Sequence, residues 1–537
     1  MTPPDPAATS SASPWQPLRH SIFRWLWIAN VASNLGTWLQ SVGASWLMTT
    51  LSDSTTIVSL VQAATSLPMF LLALPGGALA DVLDRRKILL LTQSWMLVAA
   101  TGLGLLTLAG LMTPWLLLLF TFLLGIGAAL NGPAWQAIIP ELVPREELPA
   151  AVALGSIGFN IARAIGPALG GLLVAATGPA ATFLLNAASF LGVLAVLYRW
   201  RRPGETSMLP AERILGAMRT GLRYVRHAPE VQAPIIRATA FMVCAASLWA
   251  VLPVVARVEL RQGAAGYGLL LAAMGVGAVS GAMVLPRLRR RLAPDGVVAA
   301  STLVFAGVLL ALAWVRNFPL VCVAMLAAGG AWLSLLSTLN VAVQTVVPAW
   351  VRGRALSVYL LFFFGSFAVG SPLWGMLAER FGMAPSLTAS AVCLVLSMLA
   401  TARWRLRSGE GLNLAPSRQW PAPIVMHDDL EPERGPVLVT VRYRIDPERA
   451  AGFAAVMQSV RRIRLRDGAM QWGLFVDAAA PEVYTEVFLV KSWAEHLRQH
   501  ERVTVSDRDV EVQALSFHVG PDRPVVEHLI AERIPRG

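Results

Sequence analysis

Apolar stretches of membrane-crossing length recur twelve times before residue 405, and no other feature limits the possible folds of this chain so severely. A helix needs about 20 apolar residues to span the hydrocarbon of a bilayer. The runs fall near 22–50, 56–80, 88–111, 114–139, 147–176, 179–200, 234–260, 265–286, 295–316, 318–346, 353–379 and 383–405. Backbone polar groups have no water partner in lipid, so each run is expected to be a helix. Composition agrees, with 55% hydrophobic and 14% charged residues, where soluble domains carry roughly 25% charged.

The formal net charge of +12 would suit a nucleic-acid partner, but the basic residues sit at the ends of apolar spans, so nucleic-acid binding is excluded. Arginine marks alternate loops. Arg19 and Arg24 precede the first span, Arg85 to Lys87 follow the second, Arg145 the fourth, and Arg199, Arg201, Arg202, Arg213, Arg219, Arg223 and Arg226 the sixth. Arg287, Arg289, Arg290 and Arg291 follow the eighth, Arg352 and Arg354 the tenth, and Arg403, Arg405 and Arg407 the last. The opposite loops hold little beyond Asp53, Arg257, Glu259, Arg261, Arg316, Glu379 and Arg380. Cytoplasmic loops accumulate Lys and Arg, so both termini are predicted cytoplasmic in a bacterial-type inner membrane. Residues 1–17 lack a signal-peptide pattern and read as a disordered cytoplasmic tail. Cys244, Cys322 and Cys393 lie in apolar segments without metal-ligand spacing and read as packed thiols; no metal and no cofactor is expected.

The chain repeats itself. Leu130-Asn131, Gln136, Pro140, Val143 and Arg145 are echoed by Leu339-Asn340, Gln344, Pro348, Val351 and Arg352, and Gly166-Pro167-Ala168-Leu169-Gly170 loosely by Gly370-Ser371-Pro372-Leu373-Trp374-Gly375. Two six-helix halves are therefore expected, at 18–202 and 234–405, joined by a linker at 203–233. Within that linker Ile214, Leu215, Met218, Leu222 and Val225 share one helical face, a pattern suited to the headgroup layer or to a soluble amphipathic helix.

Between Gly77 and Lys87 a short basic turn joins two apolar runs, with Asp81, Asp84, Arg85 and Arg86 inside it. This loop resembles the one between helices 2 and 3 of the major facilitator superfamily. Residues 18 to 405 are similar to its enterobactin-exporter-like branch, on Ser33-Asn34-Leu35-Gly36-Thr37-Trp38-Leu39-Gln40, the 77–87 loop, and Asn131-Gly132-Pro133-Ala134-Trp135-Gln136 with Pro140 to Pro144. The resemblance implies the 12-helix, 6+6 major facilitator fold, with Gly77, Asp81, Asp84, Arg85 and Arg86 forming a conformational-switch loop. The family's second glycine is replaced by Asp84, which tolerates left-handed geometry.

Gly166, Pro167, Gly170 and Gly171 resemble the motif of exporters and antiporters in that superfamily; ordinary small-residue packing gives the same composition. Arg163 lies one turn earlier inside an apolar helix, either binding an anionic group or serving as a structural arginine. Asn30, Asn34, Thr37 and Ser41 repeat at helical spacing in the first span. In this fold spans 1, 4, 7 and 10 surround the cavity, so the expected substrate path is Asn30, Asn34, Gln40, Asn131, Gln136, Arg163, Asn340 and Gln344. Trp38, Trp46 and Trp249 are candidates for aromatic walls, with Trp46 better suited to an interface anchor. No carboxylate sits mid-span, and no phosphate-binding Gly-Lys-Ser/Thr loop is present, so ATP drive is unsupported and proton coupling is implied by the family alone.

After a Pro- and Gly-rich linker at 406–436, a soluble domain is expected at 437–530. Val437 to Ile445, Gln471 to Asp477, Val483 to Val490 and Val512 to Val519 read as strands, with helices after Asp446-Pro447 and after the capping box Ser492-Trp493-Ala494-Glu495. That order is ferredoxin-like and resembles the dimeric barrels of cofactor-free antibiotic-biosynthesis monooxygenases. Trp472, Tyr484, His496 and His500 are the candidates to line a pocket there, although no catalytic residue is assigned. The chain is expected to be a secondary transporter exporting small amphipathic molecules, with the lipid bilayer as its environment and self-association through the tail as a further partner. The alternative is a membrane-anchored enzyme whose tail acts as a monooxygenase.

Overall fold

The structure, a computed structural model, describes residues 15–200, 214–406, 412–417, 431 and 433–532. Most of the expected disordered tail and much of both linkers lie outside the described residues. The chain divides into two compact units. One holds residues 1–214, 235–340 and 359–405, the other 215–234, 341–358 and 406–537.

The first half consists of α1 (Ser21–Leu51), α2 (Thr55–Val82), α3 (Arg85–Leu108), α4 (Pro114–Leu142), α5 (Leu148–Thr177) and α6 (Pro179–Arg199). An amphipathic helix, α7 (Ile214–His227), leads to α8 (Pro229–Val254), α9 (Ala264–Arg291), α10 (Pro294–Trp314), α11 (Phe318–Thr345), α12 (Arg352–Phe381) and α13 (Met383–Ala400). Among the described residues, eleven helices are long and apolar enough to cross a membrane. The remaining expected span, α1, runs 31 residues, and its Asn30, Asn34 and Gln40 lower its hydropathy below the others. Helix ends are capped locally: Ser54 and Thr113 accept from Ile57 and Leu116 backbone N–H groups, and Pro114 and Pro179 occupy first turns where no amide donor is needed. Gly178 (φ 84°) and Gly382 (φ 91°) turn the chain into α6 and α13, a left-handed geometry that disfavours any side chain.

Met48, Ala100, Leu103, Leu117 and Phe183 are fully or nearly fully buried where α1, α3, α4 and α6 meet. Leu91, Val98, Leu105 and Leu108 form an exposed apolar stripe on α3, as a lipid-facing surface requires.

The second unit carries a four-stranded, fully antiparallel sheet, β1 (Val437–Arg444), β2 (Ala469–Val476), β3 (Val483–Val490) and β4 (Val525–Ile530), in the order β2-β3-β1-β4. Helix α14 (Ala450–Asp467) follows β1; α15 (Trp493–Arg502) and α16 (Val505–Leu515) lie between β3 and β4. Alternation buries Val437, Val439, Val441 and Tyr443 of β1 against Phe453, Met457 and Val460 of α14 and Phe488 and Trp493. The expected last strand at 512–519 is instead the end of α16, through Leu515, and the turn that follows it. The Thr504 capping box, closed reciprocally with Asp507, starts a helix that runs through Leu515, and the strand comes ten residues later.

The described side chains of the linker helix, 219–227, bury a face beside the expected apolar one. Described side chains of α7 bury Thr220, Tyr224 and Val225, whereas Leu222 is 53% exposed. The helix packs on protein. Arg223 pairs with Glu495 at 3.0 Å, Tyr224 meets Trp350 edge-on at 5.8 Å, and the guanidinium of Arg466 lies 5.4 Å from the Tyr224 ring centre.

Candidate functional site

Two seams between the halves define the site, and both lie toward the charge-poor helix ends. In the first, α5 meets α9. A methyl group added at Gly171 would lie 2.6 Å from the Ala264 carbonyl oxygen and 2.8 Å from Gly268 Cα, and one at Gly275 would lie 2.8 Å from Ala164 Cα. Only glycine allows backbones so close. In the second seam α12 meets α2: a methyl at Gly375 would collide with Ser59 Oγ and lie 3.2 Å from the Thr55 carbonyl oxygen, and one at Gly365 would lie 2.7 Å from Phe70. Ala264 and Thr55 are the first residues of α9 and α2, so Gly171 and Gly375 each reach the start of the helix they pack on. The echo of Gly166 to Gly171 in Gly370 to Gly375 is therefore a pair of equivalent helix contacts.

The small-residue motif from Gly166 to Gly171 packs on both sides of α5. Gly166 packs on the Trp38 side chain and Gly170 on Leu39 and Val42 of α1, while Gly171 and the Pro167 carbonyl face α9. Arg163 is half-buried, and its Nη2 is buried without a hydrogen-bond partner in the structure; Asn160 donates to the Ser156 carbonyl instead.

Of the expected path residues, Asn30 and Asn34 are half-buried, and Thr37 and Ser41 on the same stripe are exposed. Gln136 and Gln344 are exposed and Asn340 is half-buried. Two others are engaged between helices. Gln40 accepts a hydrogen bond from Asn186 of α6, and Asn131 accepts from Thr92 and Gln93 of α3 at 3.2 and 3.1 Å. Trp46, read as an interface anchor, stacks on Tyr267 of α9 at 6.1 Å, a contact between the halves. Trp249 joins Trp332, Phe367, Phe241 and Phe305 in one aromatic cluster in the second half. A cavity of about 20 Å³ beside Arg237, Phe241, Thr302 and Thr401 has room for about one water, and Arg237 pairs there with Asp295.

The loop from Gly77 to Lys87 is stapled to its own half. Arg85 bonds Glu141 at 2.7 Å and the Ala137 carbonyl at 3.0 Å, and Arg86 takes the Leu197 and Tyr198 carbonyls at 2.9 Å at the end of α6. Cations are favoured at such helix C-termini. Asp84 caps α3 by accepting from the Arg86 and Lys87 amides, at φ −59°, so it is an N-cap and not a left-handed turn residue. A methyl at Gly77 would meet nothing within 4 Å among the described residues, and the side chain of Asp81 lies outside them.

In the second unit, Glu486 is fully buried and accepts from Arg464 Nε (3.1 Å), Trp472 Nε1 (2.9 Å) and Tyr443 OH (3.3 Å). Burial works against the charge of Arg464, but Glu486 and Glu511 hold it protonated above its ordinary range. His496, His500 and His528 cluster beside Trp493, with His496 Nε2 and His500 Nε2 3.2 Å apart. Burial, then the neighbouring histidines, push His496 down to about 3; burial, then His528 and Arg464, push His500 down to about 4. Among the described residues no group of His, Cys, Asp and Glu is arranged to hold a metal ion.

The glycine partners on α9 and the Ser54–Glu379 contact described below were not singled out in the sequence. The spacing of Gly268 and Gly275, two turns apart, was the available signal, but which helix they meet is a tertiary fact.

Paired bundles, a polar stripe and equivalent seams define a secondary transporter of the major facilitator class. Solved structures agree on the fold. A bacterial homologue of the human lysosomal transporter Spinster, inward-facing and unoccupied, aligns with a TM-score of 0.53 at 17% identity, covering 72% of this chain and 95% of that one. Residues 12–535 match the family described as transmembrane secretion effector, and the chain belongs to it. It is 25% identical over 370 residues to the staphyloferrin A transporter of Staphylococcus aureus (67% of this chain, 91% of that protein) and 29% identical over 384 residues to the enterobactin exporter EntS of Escherichia coli O1:K1 / APEC (69% and 88%). These relatives are transporters, not enzymes.

Proposed function

We propose that this protein exports small amphipathic molecules, siderophore-like or drug-like, from the cytoplasm by alternating access, with proton antiport as the drive. The pair of glycine seams carries the reading. Two rigid halves in backbone contact at one membrane face must part there and close at the other for a central site to change sides. The siderophore transporters among the relatives support the cargo class, and the small-residue motif on α5 supports outward direction.

In this reading Asn30, Asn34, Gln136, Arg163, Asn340 and Gln344 line the path, while Gln40 and Asn131 hold neighbouring helices in register. The loop from Gly77 to Arg86 biases the two states, and the arginine-rich loops and both termini face the cytoplasm. The C-terminal domain is ferredoxin-like: its β2-β3-β1-β4 order with helices after β1 and β3 supports this. Its open sheet face, with Phe475, Val525 and Leu529 more than half exposed, supports self-association.

The test is transport in everted vesicles carrying the full chain. An imposed pH gradient, acid inside, is expected to drive accumulation of catecholate or carboxylate siderophores or of amphipathic drugs, and a protonophore to abolish it. Accumulation indifferent to the gradient rejects proton antiport, and uptake only in right-side-out vesicles rejects export.

A further inference from the structure

The two seams differ in one respect. Where α12 meets α2, Glu379 stands one turn beyond Gly375 and its Oε2 accepts from Ser54 Oγ at 2.6 Å and from the Thr56 backbone N–H at 2.8 Å. Ser54 is the N-cap of α2, and the Thr56 amide is one of the first-turn donors that have no partner within a helix. A carboxylate here meets both the free donors and the positive end of the helix dipole. The equivalent position on α5, one turn beyond Gly171, is Ala175 and offers no such group.

We propose that Glu379 is the latch of the charge-poor gate, a positioning residue that holds α12 on the start of α2 while that face is closed. Its bonds join residues of opposite halves. They cannot survive separation of α2 from α12, so they favour the closed state by the whole of their strength. At Gly171 backbone packs on backbone; the Gly375 seam adds a carboxylate contact to a helix start that must break at each opening. The inference rests on the alternating-access reading, but its readout is gate exposure and not transport.

The experiment uses the full chain with Cys244, Cys322 and Cys393 replaced by alanine and a reporter S59C. Ser59 is fully buried in this seam, facing Gly375. A membrane-impermeant thiol reagent is applied to vesicles of each orientation. E379A is expected to raise the labelling rate about threefold or more from the charge-poor side only. E379Q, which keeps an acceptor oxygen but no charge, should fall between, and S54A should give a smaller rise because the Thr56 amide remains. D53N, at the exposed neighbouring loop residue, serves as the control and should match the parent. Equal labelling in E379A, S54A and the parent, with matching thermal melts, overturns the latch, as does a rise from both sides alike. Should E379A not fold, E379Q and S54A decide the question by the same criterion.

Discussion

At the scale of single residues, burial sets what each polar group does. Glu486 is enclosed by three donors from β1, β2 and α14, so E486Q leaves the Arg464 charge to Glu511 alone, 2.6 Å away, and gives the three donors a neutral acceptor in place of a carboxylate. The C-terminal domain is expected to lose about 1.5–3 kcal/mol, read from denaturant titration of tryptophan fluorescence in the full chain. The histidine cluster makes a pH prediction. His496 and His500 titrate at about 3 and about 4 when folded, and near 6.5 when unfolded. The unfolded chain therefore binds more protons in that window. Domain stability should be complete above about pH 6.5 and fall as pH drops toward 4 and then 3. Thermal melts of the full chain across pH 7 to 4 check it, and H496Q should flatten the slope; a pH-independent midpoint contradicts the assignment. His496 and His500 are candidates from the sequence, spaced four apart on an amphipathic helix, whereas Glu486 and His528 are not; that pattern suits a solvated face equally, and the packing of β4 against α15 is what buries it.

At the scale of elements, the seams are decided by what is missing from the helix surface. Gly171→Leu places a branched side chain where the α9 backbone already stands, and Gly375→Leu places one where the Ser59 side chain stands. Each is expected to part its seam and lower transport by at least tenfold, with a strain cost of about 1–3 kcal/mol, measured as vesicle flux alongside melting temperature. Leucine at Gly77, where no described atom lies within 4 Å of the added carbon, should leave the melting temperature unchanged. The motif from Gly166 to Gly171 and its echo at Gly370 to Gly375 could be read directly, because composition and spacing are local. Their partners could not. The misreading of α16 is of another kind, because its signal is local: the run from Val512 to Val519 reads as a strand, but a capping box eight residues upstream has already committed the segment to a helix.

At the scale of the whole molecule, the second unit is assembled from three distant stretches of chain. Arg466 holds Asp467 and Asp507, Arg502 holds Glu495 and the Asp467 carbonyl, and Arg223 of α7 reaches the same Glu495. Arg502 also covers Trp350 at 4.7 Å. Truncation after residue 405 should therefore uncover Tyr224 and Trp350 and speed amide hydrogen exchange in 219–227 by tenfold or more. R223E should do so partially, by removing one of the arginines on Glu495 and leaving Arg502 in place; unchanged exchange after truncation refutes the dependence.

The sequence by itself determined the twelve helices, the side on which arginine gathers, the duplication and the two α5 and α12 motifs, because each depends on hydropathy or spacing within one segment. Only the tertiary structure decided that Gln40 and Asn131 tie helices together, that Tyr224 is buried by protein, and that Glu379 meets Ser54. Those outcomes depend on which surfaces face each other across hundreds of residues, and no local pattern of side chains carries that information.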